Sequence, residues 1–140
     1  MRKMSDKERN GIKIPNDRWL DYFLGRDMEE IQMDLEEYLK NMDKWSEQIK
    51  TYGQELKMSK QIREKCKNKS EEIHLTDDEG SWLHNHLMAN IPYTFYNLAE
   101  TSDDETMQNV YLSDLYGIHK YLKIMDPDYH LRLEDIKPWS

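Results

Sequence analysis

Cysteine is almost missing from this sequence: Cys66 stands alone among 140 residues. A single cysteine excludes an intrachain disulfide and any multi-cysteine metal site. The natural inference is a reducing, intracellular setting, and a cytoplasmic location is expected. No apolar run approaches the ~18 residues of a membrane-spanning helix. The opening Met1-Arg2-Lys3-Met4-Ser5-Asp6 leads into further charge without the apolar core of a secretory signal, so neither a membrane nor an export role is expected. No G-x-S-x-G, P-loop or dinucleotide fingerprint is present, and there is no internal repeat or low-complexity tract. Cations are scarce in the second half. Residues 1–70 carry 16 Lys/Arg and 14 Asp/Glu, whereas residues 71–140 carry 4 and 14, a local net of −10 within an overall −8. Such a half repels nucleic acid and attracts basic protein surfaces.

What remains is a polar but foldable chain. The hydrophobic fraction is 37% and the charged fraction 34%, against roughly 45–50% and 25% in average domains. Four Trp, nine Tyr and two Phe are too many aromatics for a solvated acidic tail, and nine Met add adaptable filling. The length suits one domain with a thin core, as in a hairpin or bundle.

The strongest pattern runs from Asp27 to Cys66. Ile31, Leu35, Tyr38, Met42, Trp45, Ile49, Tyr52 and Leu56 recur at steps of 4, 3, 4, 3, 4, 3 and 4, an unbroken heptad seam. It predicts one long helix over about 27–67, capped by Asp27, with a weak point at Gly53. Before it, residues 1–15 read as a mobile charged arm with an extended piece at Ile12–Ile14. Asn16 reads as the N-cap of a short helix through Trp19 and Phe23, ended by Gly25. After it, Thr76-Asp77-Asp78-Glu79 is a capping box. Its helix is expected to break or kink at Pro92. Ser102-Asp103-Asp104-Glu105 reads as a second capping box, opening a helix that Asp126-Pro127 stops. The tail at Tyr129, Leu131 and Leu133 finds no strand to pair with and reads as extended or single-turn structure. The fold class is therefore all-α: a long heptad-patterned helix packed with shorter helices as a bundle or helical hairpin, in a single helical domain over 16–140 with an acidic half from 76. The weakly charged positions flanking the seam (Gln32, Asp34, Leu39, Asn41, Ser46, Gln48) favour packing within the chain, and a coiled-coil homodimer is the alternative.

The candidate chemistry is thin. His84 and His86, at i,i+2 on a helix, point to opposite sides and cannot share a metal. Glu71-Glu72-Ile73-His74 holds one Glu-x-x-His step, but a di-iron bundle needs two. Cys66 sits among Lys65 and Lys67, which would lower its pKa, yet nothing orients a base. The basic run Lys57, Lys60, Arg63, Lys65, Lys67 and Lys69 suits a helix C-terminus and is equally able to pair with acidic surfaces. The acidic half offers more: Glu100, Asp103, Asp104, Glu105, Asp114, Asp126 and Asp128 are interleaved with Tyr111 and Tyr116. Spread carboxylates with aromatics between them can occupy a basic groove on another protein. The functional expectation is a non-enzymatic interaction module, without metal or cofactor, that binds and inhibits a basic, nucleic-acid-handling protein and does not itself bind nucleic acid. Its small size would suit a virus- or mobile-element-encoded antagonist. The competing readings are a small metal-dependent hydrolase using the Glu/Asp clusters or His84 and His86, and a purely structural dimer.

Overall fold

A computed structural model describes residues 11–68 and 70–136; the charged residues 1–10 of the predicted arm lie outside the described residues. The chain is mostly helical, with four long helices packed in two pairs and a small antiparallel sheet of two strands. In order these are β1 (Ile12–Pro15), α1 (Arg18–Tyr38), α2 (Ser46–Cys66), β2 (Glu72–Leu75), α3 (Asp77–Glu100), α4 (Glu105–Met125) and the single turn α5 (Leu133–Ile136). No helix among the described residues is long and apolar enough to cross a membrane. The described residues group into two compact units, one within 15–74 and one of 11–14 with 75–136, the division falling within the two strands.

In the unit of residues 15–74, the predicted 27–67 helix is two helices. α1 ends in a turn of 3₁₀ helix at Leu39–Asn41, residues 42–45 turn, and α2 runs back along α1. Neither Gly nor Pro marks the break. The Asn41 side chain accepts the Lys44 amide at 3.4 Å, a local bond that competes with the helical ladder, while its carbonyl keeps a helix-type i,i+4 bond from the Trp45 amide at 3.2 Å. The Tyr38 ring lies 4.7 Å from Trp45 and 5.4 Å from Tyr52, closing the turn with aromatic contacts. A straight helix would have needed another segment or another copy to cover its apolar stripe; the turn lets one half of the seam face the other. No intermolecular coiled coil is required to explain the heptads. The helix passes through Gly53 without interruption.

The start of the unit also departs from expectation. Asp17, not Asn16, is the N-cap, its carboxylate accepting the Leu20 amide at 3.1 Å. Asn16 instead reaches the far end of α2, its side-chain amide donating to the carbonyls of Cys66, Asn68 and Ser70 at 3.2, 3.0 and 3.0 Å. These carbonyls have no intrahelical donors, so one residue closes the C-terminus of α2. Gly25 does not end a helix but lies inside α1. A β-carbon there would sit 3.0 Å from the Arg63 guanidinium, which crosses at this point while its Nε donates to Asp21 at 2.9 Å. The glycine serves close approach rather than a left-handed backbone.

In the other unit, the apolar stripe Leu83, Leu87 and Ile91 of α3 and Ile118, Tyr121 and Leu122 of α4 are wholly buried, and the two helices pack together. Thr76 and Glu79 form the expected capping box: the hydroxyl accepts the Glu79 amide at 3.2 Å and the carboxylate accepts the Thr76 amide at 2.8 Å. Three features run against the local rules. α3 continues through Pro92, whose neighbour Ile91 is fully buried. The N-cap of α4 is Asp104, accepting the Met107 amide at 3.1 Å, while Ser102 bonds only the Asp103 side chain. β2 supplies the strand that Ile12–Pro15 pairs with, where sequence had offered no second strand. Gly11, entering β1, passes so close to Leu75 that a β-carbon would lie 1.8 Å from its carbonyl oxygen. Asp126 ends α4 as expected, and the tail forms the single turn α5.

Candidate interaction surfaces

Helical spacing decides which acidic residues share a surface. On α3, Tyr93, Tyr96 and Glu100 follow at steps of 3 and 4 and therefore lie on one face. The tyrosines are 56% and 47% exposed, and Glu100 is exposed. On α4, Glu105, Asn109, Leu112 and Tyr116 follow at steps of 4, 3 and 4, with Leu112 52% and Tyr116 73% exposed. Each helix thus carries an exposed stripe that ends in a carboxylate at the α3–α4 turn. Asp103 and Asp104 lie in that turn, both exposed. Asp104 also caps α4, and Asp103 accepts the Ser102 hydroxyl at 3.1 Å. The Gln108 amide ties the turn together by donating to the Leu98 carbonyl and, at 3.0 Å, to the Thr101 hydroxyl.

The remaining residues of the expected surface are elsewhere. Asp114 is only 2% exposed and belongs to the interior of its unit, so it presents nothing to a partner. Tyr111 is half-buried. Asp126 and Asp128 lie at the other end of α4, about 30 Å from its start at ~1.5 Å per residue. Asp126 is committed locally, its carboxylate accepting the Asp128 amide at 3.1 Å. The seam residues Ile31, Leu35, Tyr38, Trp45, Ile49, Tyr52 and Leu56 line the α1–α2 pair and are half-buried, whereas Met42 is 61% exposed in the turn.

Sequence reasoning passed over Tyr93, Tyr96 and Leu112 as surface residues. The offset of the two tyrosines from the buried Leu83-Leu87-Ile91 stripe was the available signal. It also passed over a groove of about 600 Å³ along the last turns of α4, lined by Tyr116, His119, Lys120, Lys123, Ile124 and Tyr129. Here the His119 and Tyr129 rings stack at 5.9 Å, and Lys123 donates to the Pro127 and Tyr129 carbonyls at 2.5 and 3.3 Å. Burial, and after it the Asp135 charge, raise the Tyr129 phenol above its ordinary pKa.

The candidate chemical residues are dispersed. His86 stacks on Trp82 at 4.8 Å, and His84 lines a separate cavity of about 500 Å³ beside Thr76, Asp77 and Ser81. Among the described residues no group of three or more His, Cys, Asp or Glu is placed to hold a metal ion. Cys66 is the reverse of an activated thiol: burial, reinforced by the Asp21 and Asp17 charges and opposed by Arg63, pushes its pKa up to about 11. The neighbouring lysines expected to lower it do not prevail, because desolvation of the thiolate dominates. Lys65 is directed elsewhere, donating to the His74 carbonyl at 2.8 Å.

No protein-family model matches the chain, and no match was found among curated proteins or solved structures.

Proposed function

We propose that this chain is a non-enzymatic protein-interaction module that binds a basic protein through the α3–α4 turn and the two exposed stripes leading to it. One observation carries the reading. Residues 70–119 contain no Lys or Arg at all, and within them Glu100, Asp103 and Glu105 are exposed on a turn flanked by exposed Tyr93, Tyr96, Leu112 and Tyr116. Carboxylates in a stretch without cations of its own favour a negative local potential, which steers a basic partner. The aromatic and aliphatic side chains beside them supply the apolar contact that electrostatics alone lacks. Capping and the α4 dipole account for Asp103, Asp104 and Glu105; they do not account for Glu100 at the end of α3 or for four large, partly exposed apolar side chains beside these carboxylates. A partner that handles nucleic acid fits this chemistry, because its phosphate-binding groove is basic and lined for flat rings. Occupying that groove would inhibit it, the role a virus- or mobile-element-encoded antagonist performs.

The test compares the chain with an E100K/D103K/E105K variant, which spares the capping Asp104 and the buried Asp114. Both are immobilised, exposed to host lysate and washed in low and then high salt, with circular dichroism establishing equal helicity. Basic proteins retained by the original chain, released by salt and lost from the variant are the expected result. Identical retention by the two chains would refute the assignment of this surface.

A further inference from the structure

We infer that the α1–α2 hairpin is a self-association surface, and that two copies of the chain pair through it as an antiparallel four-helix bundle in which α1 of each copy lies against α2 of the other. From Glu29 to Met58 no residue is fully buried, although this stretch carries the strongest apolar pattern in the sequence. Two helices alone cannot dry an apolar stripe, whereas four can, since each then meets two neighbours. The apolar stripe is also wider than one partner helix covers: Met33 of α1 remains 66% exposed, and Leu39 in the 3₁₀ turn after it 45%, after α2 has packed. One side of the hairpin bears a groove of about 520 Å³ whose lining includes Met28, Gln32 and Met33 from α1 and Leu56 from α2.

Charge selects a second copy as the occupant and sets its orientation. From Asp27 to Glu37, α1 carries six carboxylates and no Lys or Arg, whereas α2 carries Lys50, Lys57, Lys60, Arg63 and Lys65 against Glu47, Glu55 and Glu64. On the grooved side, Glu29, Gln32 and Glu36 form one stripe of α1, at steps of 3 and 4, which Leu39 of the following 3₁₀ turn extends. Lys50, Gly53, Lys57 and Lys60 form a stripe of α2 at steps of 3, 4 and 3. A two-fold axis parallel to the helices places each acidic stripe against the partner's basic one, with the helices antiparallel. The alternative axis, across the helices, would set α1 against α1 and acid against acid. The first arrangement is isologous and closes on itself, so it stops at a dimer.

The test uses the full chain and two charge-reversed variants, E29K/E36K and K50E/K57E, all at exposed positions. Sedimentation equilibrium from micromolar to several hundred micromolar is expected to show the original chain moving from its 17.0 kDa monomer mass to twice that value. Each variant alone should dissociate at least about tenfold more readily, since like charges then face each other across both contacts. Mixing the two should restore a dimer, because one chain is then basic on both stripes and the other acidic on both. Circular dichroism of each variant at low concentration reports the monomer fold. The inference is overturned if the original chain stays monomeric throughout, if reversal leaves dissociation unchanged, or if two folded variants fail to pair on mixing.

Discussion

Replacing Asn16 separates two accounts of how the first helical pair is closed. If Asn16 were the N-cap of α1, as its place before an apolar helix suggests, Asp would serve there as well as Asn. The structure instead sets its side-chain amide among the carbonyls of Cys66, Asn68 and Ser70, at 3.2, 3.0 and 3.0 Å. An amide nitrogen has two hydrogens, so two of these contacts are full bonds at any moment. Each is worth roughly 0.5–1.5 kcal/mol net, and partial exposure places them at the lower end, so Asn16→Ala should cost about 1–2 kcal/mol. Asn16→Asp should cost more than Ala, by a further ~0.3–1 kcal/mol, because it adds an anion at the negative end of the α2 dipole. In urea, with slopes near 1–3 kcal/mol per molar, the midpoint should fall by about 0.5–1 M for Ala and further for Asp. Acidification below about pH 4 should bring the Asp variant back toward the Ala one as the carboxylate takes up a proton. An Asp variant as stable as the original chain would refute the C-terminal role and restore the N-cap.

Two further outcomes follow from the same reasoning. Thr76→Ala removes the acceptor of the Glu79 amide at the start of α3 and should cost about 1 kcal/mol, with faster amide exchange confined to the first turn of that helix. Cys66 should resist alkylation at about pH 8, where most free thiols react, and become reactive on unfolding. Its folded pKa of about 11 lies above the ordinary 9.0. The stability gained by keeping this thiol neutral is therefore complete below the ordinary value and lost as pH rises through the folded one. Unfolding measured across that alkaline window should steepen for the original chain and flatten for Cys66→Ala.

For some bonding partners close in sequence, though not for the caps read at Asn16 and Ser102, the residues alone determined the outcome. The Thr76–Glu79 capping box and the Asp126-Pro127 stop needed nothing but their own neighbours. The seam from Ile31 to Leu56 was legible too, since an apolar stripe must be covered wherever it lies. Which helix covers it was not, because a continuous heptad and a folded hairpin place apolar residues at the same spacing. Only the tertiary structure decided that the chain turns after Asn41 and that Tyr38 closes on Trp45 and Tyr52. The same holds for the remaining departures. Gly25 lies inside α1 where Arg63 crosses it, Pro92 stays helical beside the buried Ile91, and Ile12–Pro15 becomes a strand because Glu72–Leu75 comes to it. Among the candidate site residues, the composition of residues 70–119 showed that the surface is acidic. It could not show that Asp114 turns inward while Glu100 and Glu105 turn outward, since burial follows from which helical face meets a neighbour. Local hydrogen-bonding rules act within a few residues, whereas facing and folding back depend on contacts between segments that the chain brings together only when it packs.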